Sequence, residues 1–276
     1  MNKKLHYASL GNNVSLQSIL ELQRKICDFY RQYPGVNCMY SFSPKPTITL
    51  GSYHQDNKLH PKLNSEIMQQ KPGETRTKNM FQFLRNNFDK TYEIIDNSHE
   101  RPGGSTYNGP GQLSFFFNLD LKDSPVSFVT LKKFLDQSMI ETLQVYRPDL
   151  KFKYGKQIDI YTKIDEERLK IASQGFRIAT NESKVEHTRY GITFHLSEKS
   201  VEPFDSLILP CGIEPHEGRA TSLENLIGGP VNQELFENKF LNIFSKKLSL
   251  NVDSSKIISQ AIEKEFEEIE KKSKLK

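Results

Sequence analysis

Cysteine is scarce in this chain: three in 276 residues, and an odd number. That is too few for a disulfide framework. None of Cys27, Cys38 and Cys211 stands in a C-x-x-C pair, so neither a structural zinc site nor a thioredoxin-like motif is encoded. Unpaired thiols point to a reducing compartment. No apolar run approaches the ~18–20 residues that a bilayer crossing needs, and the mean hydropathy is -0.60. The longest apolar stretches, around Phe115–Phe117 and Leu207–Leu209, have strand length. Excess charge is also small, +4. With a pI near 8.7 and no Arg/Lys stripe interleaved with aromatics, tracking of a nucleic-acid backbone is not expected. The charge favours, at most, docking to an acidic macromolecule. The N-terminus lacks the apolar core of a secretory signal and the Arg-rich pattern of a transit peptide, so an imported protein would be expected here in mature or divergent form.

What the chain does have is core-forming material. Hydrophobic residues make up 36% and include 18 Phe, which excludes a disordered tail. At roughly 150 residues per domain the length allows one or two domains, and one large α/β domain fits. A helix is predicted from Val14 to Tyr30, capped by Asn13 or Ser15 and ended by Tyr33-Pro34-Gly35. Val36, Cys38, Tyr40 and Phe42 alternate as in a half-buried strand, and Thr47–Gly51 gives a short second one. Residues 55–90 are polar and read as a surface excursion with a short helix near Phe81–Phe88. Tyr92–Ile95 is a strand leading into the Gly-rich segment 101–112, and Leu113–Leu121 is strongly β. Asp123-Ser124-Pro125 supplies a helix start, and the helix runs to Tyr146 with Phe128, Leu131, Leu135, Met139 and Leu143 on one face. Strand-like pieces follow at Ile158–Tyr161, Leu169–Arg177 and Gly191–Leu196, then amphipathic helices at Leu235–Leu248 and Ile257–Ile269. The basic ends, Lys3-Lys4 and Lys271–Lys276, read as solvated tails. No regular βαβ repeat appears, so mixed β-sheets flanked by helices are expected.

Three segments carry chemistry. Arg101–Gln112 holds four Gly and two Pro between strand patterns, a rigid loop whose backbone can approach a ligand; an ordinary hairpin turn has the same composition. It matches neither the phosphate loop nor the dinucleotide fingerprint. In Leu209-Pro210-Cys211-Gly212-Ile213 a thiol leaves a short apolar strand where a turn can present it, whereas Cys27 and Cys38 look like core residues. Lys170 lies in an apolar β context, where a lysine either snorkels to the surface or is kept for its ammonium.

Together these segments resemble the lipoyl(octanoyl) transferases, the octanoyltransferases of lipoate biosynthesis. That family carries R-G-G-x-x-T-Y-H-G-P-G-Q, K-I-A-[SA]-x-G, H-G-x-A-x-N, P-C-G-[IV] and T-S. The matching stretches are Arg101–Gln112, Lys170–Gly175, Tyr190–His195, Pro210–Ile213 and Ala220–Leu223, over roughly residues 10–250. Pro46–Gly51 resembles the family's early P-V-x-T-x-G strand. There are departures: Pro102 replaces a Gly, Asn108 stands where the family has His, and Pro44 falls where an early His is common. Tyr190 and His195 replace His and Asn, and Thr193 is bulkier than the usual Ala. Asn108 can hydrogen-bond but cannot titrate.

The resemblance implies a fold like the catalytic domains of lipoate and biotin protein ligases, without ATP, cofactor or metal. It implies one catalytic domain over 1–276, with a divergent surface insertion at about 52–90 and a C-terminal helical extension at about 251–276. Cys211 would be the acyl-thioester nucleophile, and Lys170 would lower its pKa and move protons. Arg101, Pro102, Gly103, Gly104, Ser105, Thr106, Tyr107 and Asn108 would line the acyl site, with Ser173, Gln174, Gly175, Gly191, Ile192 and Thr193. The implied partners are acyl carrier protein as octanoyl donor and, as acceptor, lipoyl domains of 2-oxoacid dehydrogenase subunits or the glycine cleavage H protein. Both are typically acidic. No nucleic acid and no membrane is implied. The insertion, the C-terminal helix and the Asn/Lys content lean towards a mitochondrial matrix enzyme, with a bacterial cytoplasmic one as the alternative.

Overall fold

The structure, a computed structural model, describes residues 4–32, 37–52, 59, 65–87, 91–97, 101, 103–120, 127–155, 159–180, 186–209, 216, 218–253 and 257–274. In chain order the strands are β1 (Lys4–Val14), β2 (Asn37–Pro44), β3 (Thr47–Leu50), β4 (Glu93–Asp96), β5 (Thr106–Asn108), β6 (Gln112–Asp120), β7 (Lys153–Tyr154), β8 (Asp159–Ile164), β9 (Glu167–Thr180), β10 (Glu186–His195), β11 (Gly218–Ala220) and β12 (Asn251–Asp253). The helices are α1 (Leu16–Gln32), α2 (Ser65–Gln69), α3 (Glu74–Asn87), α4 (Phe128–Tyr146), α5 (Glu202–Ser206), α6 (Leu223–Ile227), α7 (Gln233–Leu248) and α8 (Ile257–Lys274).

Two sheets result. The large one runs β12-β1-β2-β6-β10-β9-β8-β7, with β11 also on β9; the small one runs β4-β3-β5. Pairing is parallel for β12 with β1, β1 with β2 and β11 with β9, and antiparallel elsewhere in the large sheet. The sheets are therefore mixed, as expected.

Alternation along the central strands feeds two cores. On the back face Met39, Phe115, Phe117, Tyr190, Ile192 and Phe194 meet Leu131, Leu135, Met139 and Leu143 of α4 and Phe236, Phe240 and Phe244 of α7. The rings interlock, with Phe115 and Phe240 centroids 4.6 Å apart and Phe117 and Phe244 5.2 Å apart. On the front face Cys38, Tyr40 and Phe42 meet Leu16, Ile19, Leu22 and Ile26 of α1 and Ile262, Phe266 and Ile269 of α8. Strand β2 is thus buried on both faces, not half-buried, because helices cover both sides of it. Cys27 and Cys38 are buried and in no disulfide, and the Asn118 amide donates to Cys27 Sγ at 3.2 Å.

Several termini differ from the sequence expectation. Val14 ends β1, and α1 begins at Leu16. Lys4 lies in β1 and Lys271–Lys274 in α8, because the apolar stripe of α8 packs on the front core and Lys25 of α1 pairs with Glu265. Asp123-Ser124-Pro125 lies outside the described residues; the N-cap of α4 is Ser127, whose hydroxyl accepts from Thr130 N–H at 3.2 Å. For α7 the cap is Asn232, accepting from Leu235 N–H at 3.0 Å. Asn232→Ala is expected to cost about 1 kcal/mol in urea unfolding.

The stretch 52–90 does more than run over the surface. Leu59, Ile67, Met80 and Leu84 are buried with Ile48, Leu50 and Tyr107 of the small sheet and with Leu207 and Ile208, forming a third core. Leu59 also pairs with Ile208 in an antiparallel bridge.

Candidate active site

The front face changes character beyond β6. Pairing aligns Phe42, Ser114, Thr193, Ser173 and Asp159 across five strands, and beside them Tyr40, Phe116, Gly191 and Gly175 across four. In these two rows the residues that β9 and β10 present to the front are therefore Gly or small hydroxyls. Thr193 and Ser114 hydrogen-bond each other at 2.9 Å. Gly175 is exposed, with open space where a Cβ would stand, and a Cβ on Gly191 would meet the Phe116 ring at 2.9 Å. Nothing bulky rises from Ser173, Gly175, Gly191 and Thr193, so the sheet leaves a shallow floor there.

The face assignment divides the residues expected to line an acyl site. Ser173, Gly175, Gly191 and Thr193 are on the front. Ile192 belongs to the back core. Gln174 also faces back, where its amide donates to Asp136 of α4 at 2.7 Å and its carbonyl accepts from the Tyr190 hydroxyl. Tyr190, one of the departures from the family pattern, is therefore taken up by the core, whereas Thr193 and His195 stand on the floor side.

Lys170 is 5% exposed. It lies opposite Tyr161 on β8 and Ala220 on β11, and its carbonyl accepts from Thr221 N–H at 2.8 Å. His195, 2% exposed, is close enough to feel its charge. Burial, reinforced by the Lys170 ammonium, pushes the imidazole down to about 3, against a main-chain hydrogen bond with Ser200 that works the other way. The imidazole is therefore neutral near pH 7 and adds no second positive charge beside Lys170. Its edge meets Phe204.

The Gly-rich motif reaches this corner through its last residue. The Gln112 carbonyl oxygen accepts from Gly109 N–H at 3.1 Å, and its amide reaches Tyr107 O at 3.4 Å and His195 Nδ1 at 3.5 Å. With the amide as donor, Nδ1 is the bare nitrogen. Sequence reasoning passed over both residues: Gln112 was one letter of a motif, and His195 occupies no histidine position of the family.

At the other end of the motif, the Arg101 guanidinium donates to Thr49 O at 3.3 Å and to the Gly104 carbonyl, while Ser52 N–H donates to Arg101 O at 3.0 Å. Ser105 is buried, and Thr106, Tyr107 and Asn108 form β5 against β3. Tyr107 points into the third core, where burial holds its phenol above the ordinary range. Gly103 adopts φ 104, and a Cβ on Gly51 would overlap the Gly103 carbonyl. The atoms that this Cβ would meet are main chain, so Gly51→Ala must push the loop away. The expected result is a loss of about 1–3 kcal/mol in thermal or urea unfolding.

Pro102 and the whole Pro210–Ile213 segment, Cys211 included, lie outside the described residues. Their flanks are placed: Ile208 in the third core, and Gly218 beside Arg168 at the Lys170 edge of β9. Among the described residues no group of three or more His, Cys, Asp or Glu could hold a metal, and no helix is long and apolar enough to cross a membrane.

No family model matches the chain. Over 162 residues, 55% of the chain, it is 32% identical to an octanoyltransferase of Shewanella halifaxensis and, with the same share, 33% identical to one of Shewanella pealeana. An octanoyltransferase of Wigglesworthia glossinidia brevipalpis is 28% identical over 170 residues, 60% of this chain and 70% of that protein. The chain spans 63% of the length of the two Shewanella relatives. All three relatives are bacterial, so the lean towards a mitochondrial enzyme finds no support in them. Among solved structures, a bipartite lipoate protein ligase of Thermoplasma acidophilum, studied with its E2 lipoyl domain, superposes with TM-score 0.59 at 11% identity, covering 97% of this chain and 92% of that one. A lipoate-protein ligase A bound with ATP gives 0.57 at 13%, covering 97% and 95%. The fold is that of the lipoate-protein ligases.

Proposed function

We propose that this chain, a divergent relative of the octanoyltransferases, transfers an octanoyl or lipoyl group from acyl carrier protein to a lysine of a lipoyl domain. The observation that carries the reading is Lys170: a buried lysine on the front of β9, at the edge of a floor of Gly and small hydroxyls, main-chain bonded to Thr221. Gly218, which follows Cys211 in the chain, pairs with Arg168 on that strand.

In the first half-reaction the Cys211 thiolate attacks the donor's thioester carbonyl and the carrier thiolate leaves. In the second the acceptor lysine's amine attacks the Cys211 thioester, the thiolate leaves, and the amine's extra proton passes to a base. A free thiol has a pKa of about 8.5, and an adjacent ammonium lowers it by stabilising the thiolate. Lys170 supplies that charge, and in its neutral form it would take the amine's proton. The front residues Ser173, Gly175, Gly191 and Thr193 would lie beneath the acyl chain, and Phe116 would wall it. Burial of each CH₂ contributes roughly 0.8 kcal/mol, enough for the slot to measure chain length. The Arg101–Asn108 loop, fixed to β3, would form the other side.

Intact-protein mass spectrometry after incubation with octanoyl-acyl carrier protein tests this. A single octanoyl adduct that disappears in Cys211→Ser is expected. No adduct, or one unchanged in Cys211→Ser, would remove the thioester mechanism. Lipoyl-AMP formed from lipoate and ATP, without an adduct on Cys211, would instead mark an ATP-dependent ligase.

A further inference from the structure

In a regular strand, residues two apart share a face. Ala172 and Gln174 both face back, so plain alternation would send Lys170 into the back core as well. It does not, because the register of β8 on β9 steps between Ile160 and Tyr161: Ile160 pairs with Ala172, and Tyr161 already with Lys170. Ile171 is the inserted residue of a β-bulge. It joins Ala172 and Ile160 in the back core, and Lys170 emerges opposite Tyr161 on the front, beside His195. The bulge is what brings the ammonium to the floor.

A bulge leaves one residue out of the ladder and bends the strand, so its position has to be held. Arg168, on the same face as Lys170, lays its guanidinium over the Tyr161 ring, 4.3 Å from the centroid. It then donates to the Asp159 carboxylate at 2.7 Å. Asp159 lies on the far side of the register step and is fully buried. The ion pair thus ties the ladder before the step to the ladder after it. The surroundings are shaped for it: a Cβ on Gly155 would run into both the Asp159 carboxylate and the Arg168 guanidinium, and Gly155 N–H donates to Asp159 O at 2.8 Å. Gly218, at φ 156, lies against the Arg168 main chain, where a Cβ would overlap the carbonyl.

We propose that the Asp159–Arg168 pair, spread across Tyr161, is a positioning clamp that fixes the bulge at Ile171 and so keeps Lys170 on the front face for acyl transfer. The proposal rests on the reading of Lys170 given above. Neither residue touches the acyl group; both act through Lys170.

Arg168→Met removes the ion pair and keeps the side-chain length, and Arg168→Lys keeps the charge without the planar fork. Because small misplacements of a reacting group are costly, kcat in Arg168→Met is expected to fall about 10–100-fold. KM for the donor should stay within about twofold, since the floor residues are untouched. Arg168→Lys should recover part of kcat. A crystal structure of Arg168→Met should show the β8–β9 register shifted or the Lys170 side chain gone from the front. Wild-type kcat in Arg168→Met, or an unchanged register with Lys170 in place, would overturn the proposal. Should Arg168→Met not fold, Tyr161→Leu removes only the aromatic bed; a smaller fall in kcat at constant KM supports the clamp, and a wild-type value overturns it. If the wild-type protein forms no acyl-enzyme at all, the proposed function fails, while the crystallographic register still decides the clamp.

Discussion

Lys170→Met is expected to lower the proposed acyl transfer by about 10²–10⁴-fold, the span typical of losing a positioned acid–base group, while the protein stays folded. Methionine matches lysine in length and stiffness, and Lys170's strand pairing runs through its main chain, to Tyr161 and Ala220 and from Thr221 N–H. At 5% exposure the substitution also removes a charge that was expensive to bury, so thermal stability should hold or rise. Two further readouts separate an electrostatic role from a structural one. His195 is held down in part by the Lys170 charge, so its imidazole titration should move up in the variant, though burial keeps it below the ordinary range. If Lys170 serves the Cys211 thiolate, the deficit in acyl-enzyme formation should be largest near pH 7. It should narrow as pH approaches the free thiol's value of about 8.5, where the thiolate forms unaided. A pH-independent deficit with an unmoved His195 would leave Lys170 a packing residue.

Much of the fold was legible in the sequence, and the parts that were not have separate physical causes. The Leu113–Leu121 pattern, the stripe from Leu131 to Leu143 and the buried phase of Cys38, Tyr40 and Phe42 were legible because each follows a single period over several residues. The face of Lys170 was not. It depends on one inserted residue, Ile171, which keeps the apolar character of its neighbours and leaves no mark in composition. Counting alternation from Gln174 gives the wrong side. That Ser173 and Gln174, or Thr193 and Ile192, fall on opposite faces was hidden for a different reason. A motif read as a string has no faces, while a strand has two. The third core escaped because Leu59, Ile67, Met80 and Leu84 are sparse in a polar stretch. Their burial depends on β3 and on Ile208, far along the chain. The basic C-terminus looked like a tail by charge alone, yet Ile262, Phe266 and Ile269 anchor its helix.

A buried acid outside the site carries the other large effect. Glu237 of α7 is 8% exposed and sits over the back of β2, where the Ser41 hydroxyl donates to it at 2.8 Å. Ser41 also shares a 2.5 Å hydrogen bond with the Tyr7 hydroxyl. Burial pushes the carboxyl up from its ordinary 4.5 to about 7. In the unfolded chain the same group titrates at its ordinary value. Between those two values the native state therefore holds a proton that the unfolded state releases. Stability then falls as pH rises through that window, the reverse of a salt-bridged carboxylate. Above it the native protein bears the full cost of a buried charge, at most about 3 kcal/mol at 1.36 kcal/mol per pH unit of displacement. Glu237→Gln keeps the shape and an acceptor for Ser41 but has no charge to bury. It should be more stable than wild type at pH 8, by about 1–3 kcal/mol, and about equal to it at pH 4.5. Urea unfolding at a series of pH values measures the gap directly. A gap that stays constant with pH would mean that the substitution acts through packing and that Glu237 does not change its protonation on unfolding.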